Sequence, residues 1–317
     1  MAKINYGGQA LIEGVMMNGP QGYALAARTA AGDIIYKQGS RQNTGKKTGI
    51  LKLPIFRGLV SFFSSLKIGM SALTWSASFS EEEEEQLGTK EIVLATVLAF
   101  VFTVVIFIVV PVLIGSWLLP YVGFFGRSLV EGILKVGFFL AYLILIARQP
   151  DIARVFAYHG AEHKTISALE AGEHLTSENT KKYSTIHPRC GTSFIMMVMI
   201  LTIFIFTFVG NTTVLNRIII KIVLLPVIMG ISYELFRLPL KFPNSRLVKA
   251  LVAPGLAMQK LTTREPDAAM LEVAITALMM TPGFPQGDNV LPPRVYAEGE
   301  APPTGRTEKE EANPNAG

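Results

Sequence analysis

Apolar and polar positions along this chain follow three patterns, and each predicts a different kind of element. Up to about residue 40, short apolar runs are interrupted by glycine and polar residues. Residues 23–29 and 34–38 flank Ala-Ala-Gly-Asp and read as two strands of a hairpin. The preceding GGQALIEGVMMNGP has the glycine spacing of neither a P-loop nor a dinucleotide fingerprint. Its glycines are therefore expected to serve turns and bulges rather than a ligand. Residues 54–78 are apolar but broken by Ser, Gly, Arg57 and Lys67, which predicts an interfacial or re-entrant helix.

The second pattern is the long apolar run. Four are predicted to cross a membrane, at about 92–119, 128–147, 194–209 and 214–235, where a spanning helix needs roughly 20 apolar residues. The first is uncharged and long enough to tilt or to kink at Pro111. The second carries Glu131 and Lys135, spaced to pair on one helix. The third is a little short, and the fourth has Arg217 and Lys221 near its start. Two further helices are predicted at 245–261 and 266–280, and the Pro-, Gly- and Glu-rich chain beyond Pro282 is expected to be disordered.

The third pattern is amphipathic. QPDIARVFAYHGAEHKTISALEAGE reads as one helix, with Asp151 near its start and Gly172 as its stop. At about 100° per residue, His159, His163, Ile166 and Glu170 share a narrow sector with Ile152, Val155 and Phe156. The histidines are thus expected to face the packed side of the helix.

The predicted fold class is mainly α: a polytopic membrane helix bundle of about four spans, with a small N-terminal cytoplasmic β element and cytoplasmic C-terminal helices. Its divisions are a β-rich region 1–50, an interfacial helix 51–80, two spans in 91–147, a cytoplasmic His/Cys loop 148–192, two spans in 193–236, C-terminal helices 237–281 and a tail 282–317. Composition agrees. Half the residues are hydrophobic and 17% charged, against about 25% charged in soluble domains. A net charge of +5 fits cytoplasmic Lys and Arg beside anionic lipid better than a nucleic-acid surface, since no basic block is interleaved with aromatics. The single cysteine, Cys190, excludes an intrachain disulfide and suits a reducing compartment. No cleaved signal peptide is expected at the N-terminus. Arg148, Arg154, Lys164, Lys181, Lys182 and Arg189 follow the second span, and Arg237, Lys241, Arg246 and Lys249 follow the fourth. The positive-inside rule then predicts cytoplasmic termini and a cytoplasmic loop in an inner (cell) membrane. The run Glu81 to Glu85 is read as a solvated acidic linker.

Candidate chemistry lies in the loop. His159-Gly160-Ala161-Glu162-His163 is an H-x-x-E-H motif, in which two imidazoles four apart can reach one cation and Glu162 can act as general base. His187 and Cys190 form an H-x-x-C pair just before the third span, and imidazole with thiolate suits zinc or a similar divalent metal. Glu170 lies roughly 10 Å along the helix from His163, too far to share its ion easily but placed to support an imidazole N–H. Glu234, level with this loop, is either a carboxylate ligand or an interfacial ion pair. His174 reads as an ordinary loop residue. The competing reading is a set of buried histidines, bonded to neighbouring glutamates, that hold the helix on the bundle.

Several stretches together resemble the DUF1385 (YqhQ-like) family of bacterial membrane proteins: YGGQALIEGVMMNGP, YHGAEHKTI with LEAGEHLTSEN, HPRCGTSF, SYELFRL and PGLAMQKLTTREPDAAMLEVAI, covering most of residues 5 to 280. The resemblance implies a metal-dependent enzyme without a known substrate. It also implies a metal role for His159 and His163, a third ligand from His187 or Cys190, and a catalytic or supporting role for Glu162. Two functions follow. One is a metal-dependent hydrolase acting at the cytoplasmic face on a peptide or lipid-linked substrate, with the bilayer as partner and no nucleic acid. The other is a non-catalytic scaffold or biogenesis factor with a structural His/Cys cluster. An ion or proton relay through Glu131, Lys135 and Glu234 is disfavoured, because the third span has no charge and no repeat is evident.

Overall fold

A computed structural model describes residues 6–40, 54–79 and 89–299, apart from the single positions 211, 243, 286, 288, 290 and 293. The acidic run Glu81 to Glu85 lies outside the described residues. The chain is mainly helical, with a small sheet at its N-terminal end.

Strands β1 (Gly7–Leu11), β2 (Gly14–Asn18), β3 (Gly22–Arg28) and β4 (Ile34–Ser40) form an antiparallel meander. The β3–β4 hairpin turns at the expected Ala-Ala-Gly-Asp, with Arg28 opposite Ile34. The glycine-rich stretch before it is a hairpin of its own, with Leu11 opposite Gly14. β4 would otherwise be an open edge. β5 (Val295–Ala297) covers it in parallel, held by the Arg294–Asp33 ion pair at 2.6 Å and by Lys37–Glu298 at 2.9 Å. This strand comes from the stretch expected to be a disordered tail. Its pairing partner lies some 260 positions away, beyond the reach of any local composition argument.

Alternation along the strands sends side chains to both faces, and both are covered. On one face Val15, Met17, Ala26 and Ile34 pack against α4 (Pro150–Ala171) and α10 (Ala268–Met279). On the other, Leu11, Met16 and Leu25 pack on Ala72 of α1 (Pro54–Ala77). α10 has nine buried residues among its twelve, as expected for a helix apolar on every side.

α2 (Thr89–Val104) runs through one π-helical turn, Val105–Val109, into α3 (Val110–Ile146). Proline 111 explains that turn. It has no N–H for the Phe107 carbonyl, and its ring crowds that carbonyl, so Val110 N–H reaches back five residues to Val105 O instead. α3 is two arms folded back on each other at Gly123, whose φ of 65° and ψ of −175° suit glycine alone. The reversal is evident in contacts across it. Arg127 Nη2 donates to Ser116 Oγ at 2.7 Å, and the Phe107 and Phe139 rings lie 6.2 Å apart. On a straight helix these pairs would be about 16 and 48 Å apart. Val93–Ile146 and α7 (Val214–Phe236) are the two helical stretches, among the described residues, long and apolar enough to cross a membrane; α6 (Gly191–Thr207) is apolar but shorter. α6 packs on the second arm of α3 and on α9 (Arg246–Thr262) through Leu143, Met196, Met199 and Met258.

Glu131 corrects one expectation. Instead of pairing with Lys135, it accepts from Arg127 Nε at 3.0 Å, Arg217 Nε at 2.8 Å and Lys221 Nζ at 2.6 Å. The carboxylate faces α7, which supplies two cations that helical spacing on α3 alone could not reveal. Glu234, at the far end of α7, is an ion pair: both its oxygens take Arg57 Nη2 from α1, at 2.8 and 2.9 Å. That bond ties the helix expected to be interfacial to the bundle.

Candidate metal centre

α4 is delimited as its sequence implies. Gln149 is its extended N-cap, Pro150 stands in the first turn with Asp151, and Gly172 closes it in the left-handed region at φ 76°. Its start is pinned to the β1–β2 turn, where Arg154 makes a two-pronged bond to Glu13 at 2.5 Å and Tyr158 donates to Glu13 at 3.2 Å. Burial pushes the Tyr158 hydroxyl above its ordinary range, with Glu13 adding to the effect.

The two histidines of H-x-x-E-H lie one turn apart on this helix, with ring centroids 4.4 Å apart and planes tilted by 59°. Each ring is oriented by a backbone carbonyl. His159 Nδ1 lies 2.8 Å from Thr262 O, at the end of α9, and His163 Nδ1 lies 2.5 Å from Thr185 O in the loop before α6. A carbonyl only accepts, so each Nδ1 carries a proton, and in the neutral ring Nε2 is the atom with the lone pair. His159 Nε2 is 3.1 Å from Cys190 Sγ. His163 Nε2 is buried and has no partner among the described residues. One donor atom from each of His159, His163 and Cys190 lies within 4.8 Å of the others. Bonds of about 2.0 Å to nitrogen and 2.3 Å to sulphur put tetrahedral ligands roughly 3.3–3.8 Å apart, so the trio closes on one ion with a contraction of about 1 Å. Cys190 is the N-cap of α6, and its sulphur accepts from Thr192 N–H at 3.4 Å and meets the Thr192 hydroxyl at 3.0 Å. Among the described residues, these three are the group placed to hold a metal ion.

His187 stands beside this trio but faces away from it. Its ring centroid is 5.8 Å from that of His163, its Nε2 meets Glu170 Oε2 at 3.4 Å, and its Nδ1 accepts from Arg189 N–H at 3.4 Å. Glu170 also pairs with Arg189. Glu170 therefore supports an imidazole, as its distance from His163 implied, and the imidazole is that of His187. Burial pushes the His187 ring below its ordinary pKa, opposed by Glu162. Gln259 of α9 fixes the backbone here, accepting from His187 N–H and donating to His187 O, both at 2.8 Å. Lys164 does the same for the loop over His163, donating to Lys181 O and Tyr183 O at 2.7 and 2.6 Å.

Glu162 is buried against β1 and accepts from Gly8 N–H. Burial pushes its carboxyl above the usual range, while His159, His187 and the Gly8 N–H pull it back. The glycine-rich strand thus has a role beyond turns. A Cβ on Gly8 would lie 2.8 Å from Glu162 Cγ and 2.5 Å from Met16 O. Gly8→Ala is therefore expected to shift Glu162 or open the β1–β2 pairing, costing about 1–3 kcal/mol by overpacking. Thermal unfolding of the purified variant checks this, and an unchanged midpoint would show that the contact is slack.

The arrangement brings together His159, His163 and Cys190, sets Glu162 against β1, keeps His187 and Glu170 alongside, and leaves Glu234 with Arg57. His174 presents its carbonyl to Thr176 N–H and Asn179 in the α4–α5 loop, where α5 is Ser177–Lys181, in keeping with a loop role. Sequence reasoning missed the carbonyls of Thr262 and Thr185, for which no side-chain signal exists. It also missed Gly8, whose only signal was the glycine density of its strand.

No solved structure matches this chain. The Bacillus subtilis (strain 168) protein described as uncharacterized protein YqhQ is 33% identical over 285 residues, covering 85% of this chain and 90% of its own length. The model of the family described as "Protein of unknown function (DUF1385)" matches residues 53–282. With YHGAEHKTI and HPRCGTSF both inside the matched region, the chain belongs to the DUF1385 family.

Proposed function

We propose that this protein is a multi-pass membrane protein carrying a metal site at its cytoplasmic membrane face, and that the site works as a metal-dependent hydrolase. The observation that carries the reading is the buried, unpartnered Nε2 of His163, which shares its space with His159 and Cys190. Two imidazoles and a sulphur suit zinc or a similar borderline divalent metal, and both rings already have the carbonyl partners that metal-binding histidines take. With His187 engaged by Glu170 and Arg189, three protein ligands leave a fourth position open, the pattern of catalytic sites. A divalent cation held there supplies Lewis acidity toward water and toward a carbonyl or phosphoryl oxygen. Glu162 takes the proton from the attacking water and returns it to the leaving group. Burial raises the pKa of that carboxyl, which makes its carboxylate a stronger base. A peptide or lipid-linked substrate would reach the site along the bilayer.

Four crossings are proposed: the two arms that meet at Gly123, then α6 and α7. Their support is the outward apolar surface of these helices, including Phe100, Trp117, Phe125, Phe204, Phe208 and Val223, which no soluble domain leaves uncovered on this scale. The Lys and Arg flanking α4 and α9 then put the histidine loop and both termini in the cytoplasm of a bacterial cell.

Metal content of the purified protein tests the proposal. Wild type is expected to hold close to one equivalent, and Cys190→Ala or a His159→Ala/His163→Ala variant to lose at least about tenfold. His187→Ala is expected to keep it. Equal trace metal in wild type and the double variant would sink the site. The burial of His163 and Cys190 favours a second reading, a closed structural centre. Glu162→Gln separates the two: retained metal and fold with lost complementation of a deletion strain supports catalysis, and full complementation supports a structural role.

A further inference from the structure

A second charged cluster sits inside the helix bundle, separate from the histidines. Arg127 lies about 30 Å along α3 from the end that leads into α4. Arg127, Arg217 and Lys221 are 2%, 1% and 5% exposed, and all three bond the one carboxylate of Glu131. Lys135 borders the same small cavity as Glu131 and Lys221. Four formal positive charges therefore meet one negative. Glu131 is the only Asp or Glu in residues 92–147 and 191–233, and Glu234, at the far end of α7, is taken by Arg57.

The cavity, about 10 Å³ and also lined by Ser128, Thr202 and Phe206, has room for roughly one water-sized species. Its hydroxyls are already committed: Ser128 donates to Phe206 O at 2.7 Å and Thr202 to Val198 O at 2.6 Å. Lys135 Nζ has no hydrogen bond or ion pair among the described residues. The donors with hydrogens to spare at this cavity are therefore ammonium groups. Unpaired charge in a protein interior costs several kcal/mol for each ion, so a compensating charge at the cavity is strongly favoured.

We propose that this cavity binds one monatomic, halide-sized anion between Lys135 and Lys221, which offsets the excess positive charge of the Arg127–Glu131–Arg217 cluster. A phosphate group is too large for the space, and Arg127, Arg217 and Lys221 are too buried for a lipid headgroup to reach. The inference does not depend on the metal site or on its chemistry.

The test uses the full chain, purified in an uncharged detergent at constant ionic strength, with sodium gluconate replaced stepwise by chloride or bromide. A ligand that binds only the folded state raises the unfolding midpoint as it saturates. The midpoint is expected to rise saturably with chloride and with bromide, and not with sulphate. Lys135→Met, which disturbs no bond of the cluster, is expected to need about tenfold more halide for the same rise. Identical midpoints in chloride and gluconate would overturn the proposal and mean that the lysines shed protons instead. A rise with phosphatidylglycerol but not with halide would overturn it in favour of a lipid phosphate. An unchanged halide response in Lys135→Met would also overturn it.

Discussion

Replacing Gly160 by alanine is expected to destabilise the protein by several kcal/mol and to strip the metal from the candidate centre. A Cβ at this position would lie 2.0 Å from the backbone oxygen of Arg264 and 3.2 Å from its carbonyl carbon. The obstruction is main chain, which cannot swing aside as a flexible side chain would. Arg264 N–H is moreover bonded to Phe156 O at 2.9 Å, and Glu265 pairs with Lys164 at 2.7 Å, so the segment after α9 is fastened to α4 on either side of the glycine. Alanine gains about 1 kcal/mol in helix propensity. Overpacking a well-filled contact costs about 1–3 kcal/mol and more where backbone must move. Separation wins, and the first bond lost is His159 Nδ1 to Thr262 O, two residues before Arg264. Without that carbonyl the His159 ring loses its orientation, and partners of this kind are worth about 10–100-fold in metal affinity. Thermal unfolding and metal content of Gly160→Ala measure both effects. A variant with wild-type midpoint and wild-type metal would show that the α4–Arg264 contact does not set the site.

Glu131→Ala is expected to be the most damaging single change among the helices. It removes the acceptor shared by Arg127, Arg217 and Lys221, all within 3.0 Å, and leaves three buried cations facing one another. Removing one partner of a buried ion pair costs about 3–5 kcal/mol, and here one carboxylate serves three partners. The two arginines keep their bonds to Ser116 and Ser128, and Arg217 and Lys221 keep the Phe206 face at 5.7 and 5.1 Å. The expected result is loss of monodisperse protein on extraction. Glu131→Asp, one methylene shorter but still charged, should recover part of the yield. Equal yields for Glu131→Ala and wild type would mean that the cations find charge balance without the carboxylate.

Local patterning carried far into this fold. The β3–β4 turn, the limits of α4 between Pro150 and Gly172, and the two C-terminal helices all follow from turn chemistry and caps, which depend on residues a few positions apart. The break between the first two apolar runs was legible as well, because Gly123 and its neighbours interrupt a stretch too long for one span. Of the candidate centre, the His159–His163 pair was legible from i,i+4 spacing alone. The choice between His187 and Cys190 was not. Both sit in one short HPRC turn, and which of them faces the histidines depends on the backbone clamp from Gln259 and on the bond between His187 and Glu170.

The amino-acid sequence by itself determined the apolar helices, the β3–β4 hairpin and the placing of two imidazoles on one helical face, since each rests on periodicity or spacing within a single segment, and its motif stretches marked the family. Tertiary structure alone decided that Cys190 completes the trio while His187 turns to Glu170, that Thr262 and Thr185 orient the rings, and that Glu131 serves three cations rather than Lys135. The reason is the same in each case. Apart from Arg127–Glu131, one helical turn long, these contacts join residues 17 to 103 positions apart, often through backbone carbonyls that every residue type carries, so only the packing of the elements against one another could select them.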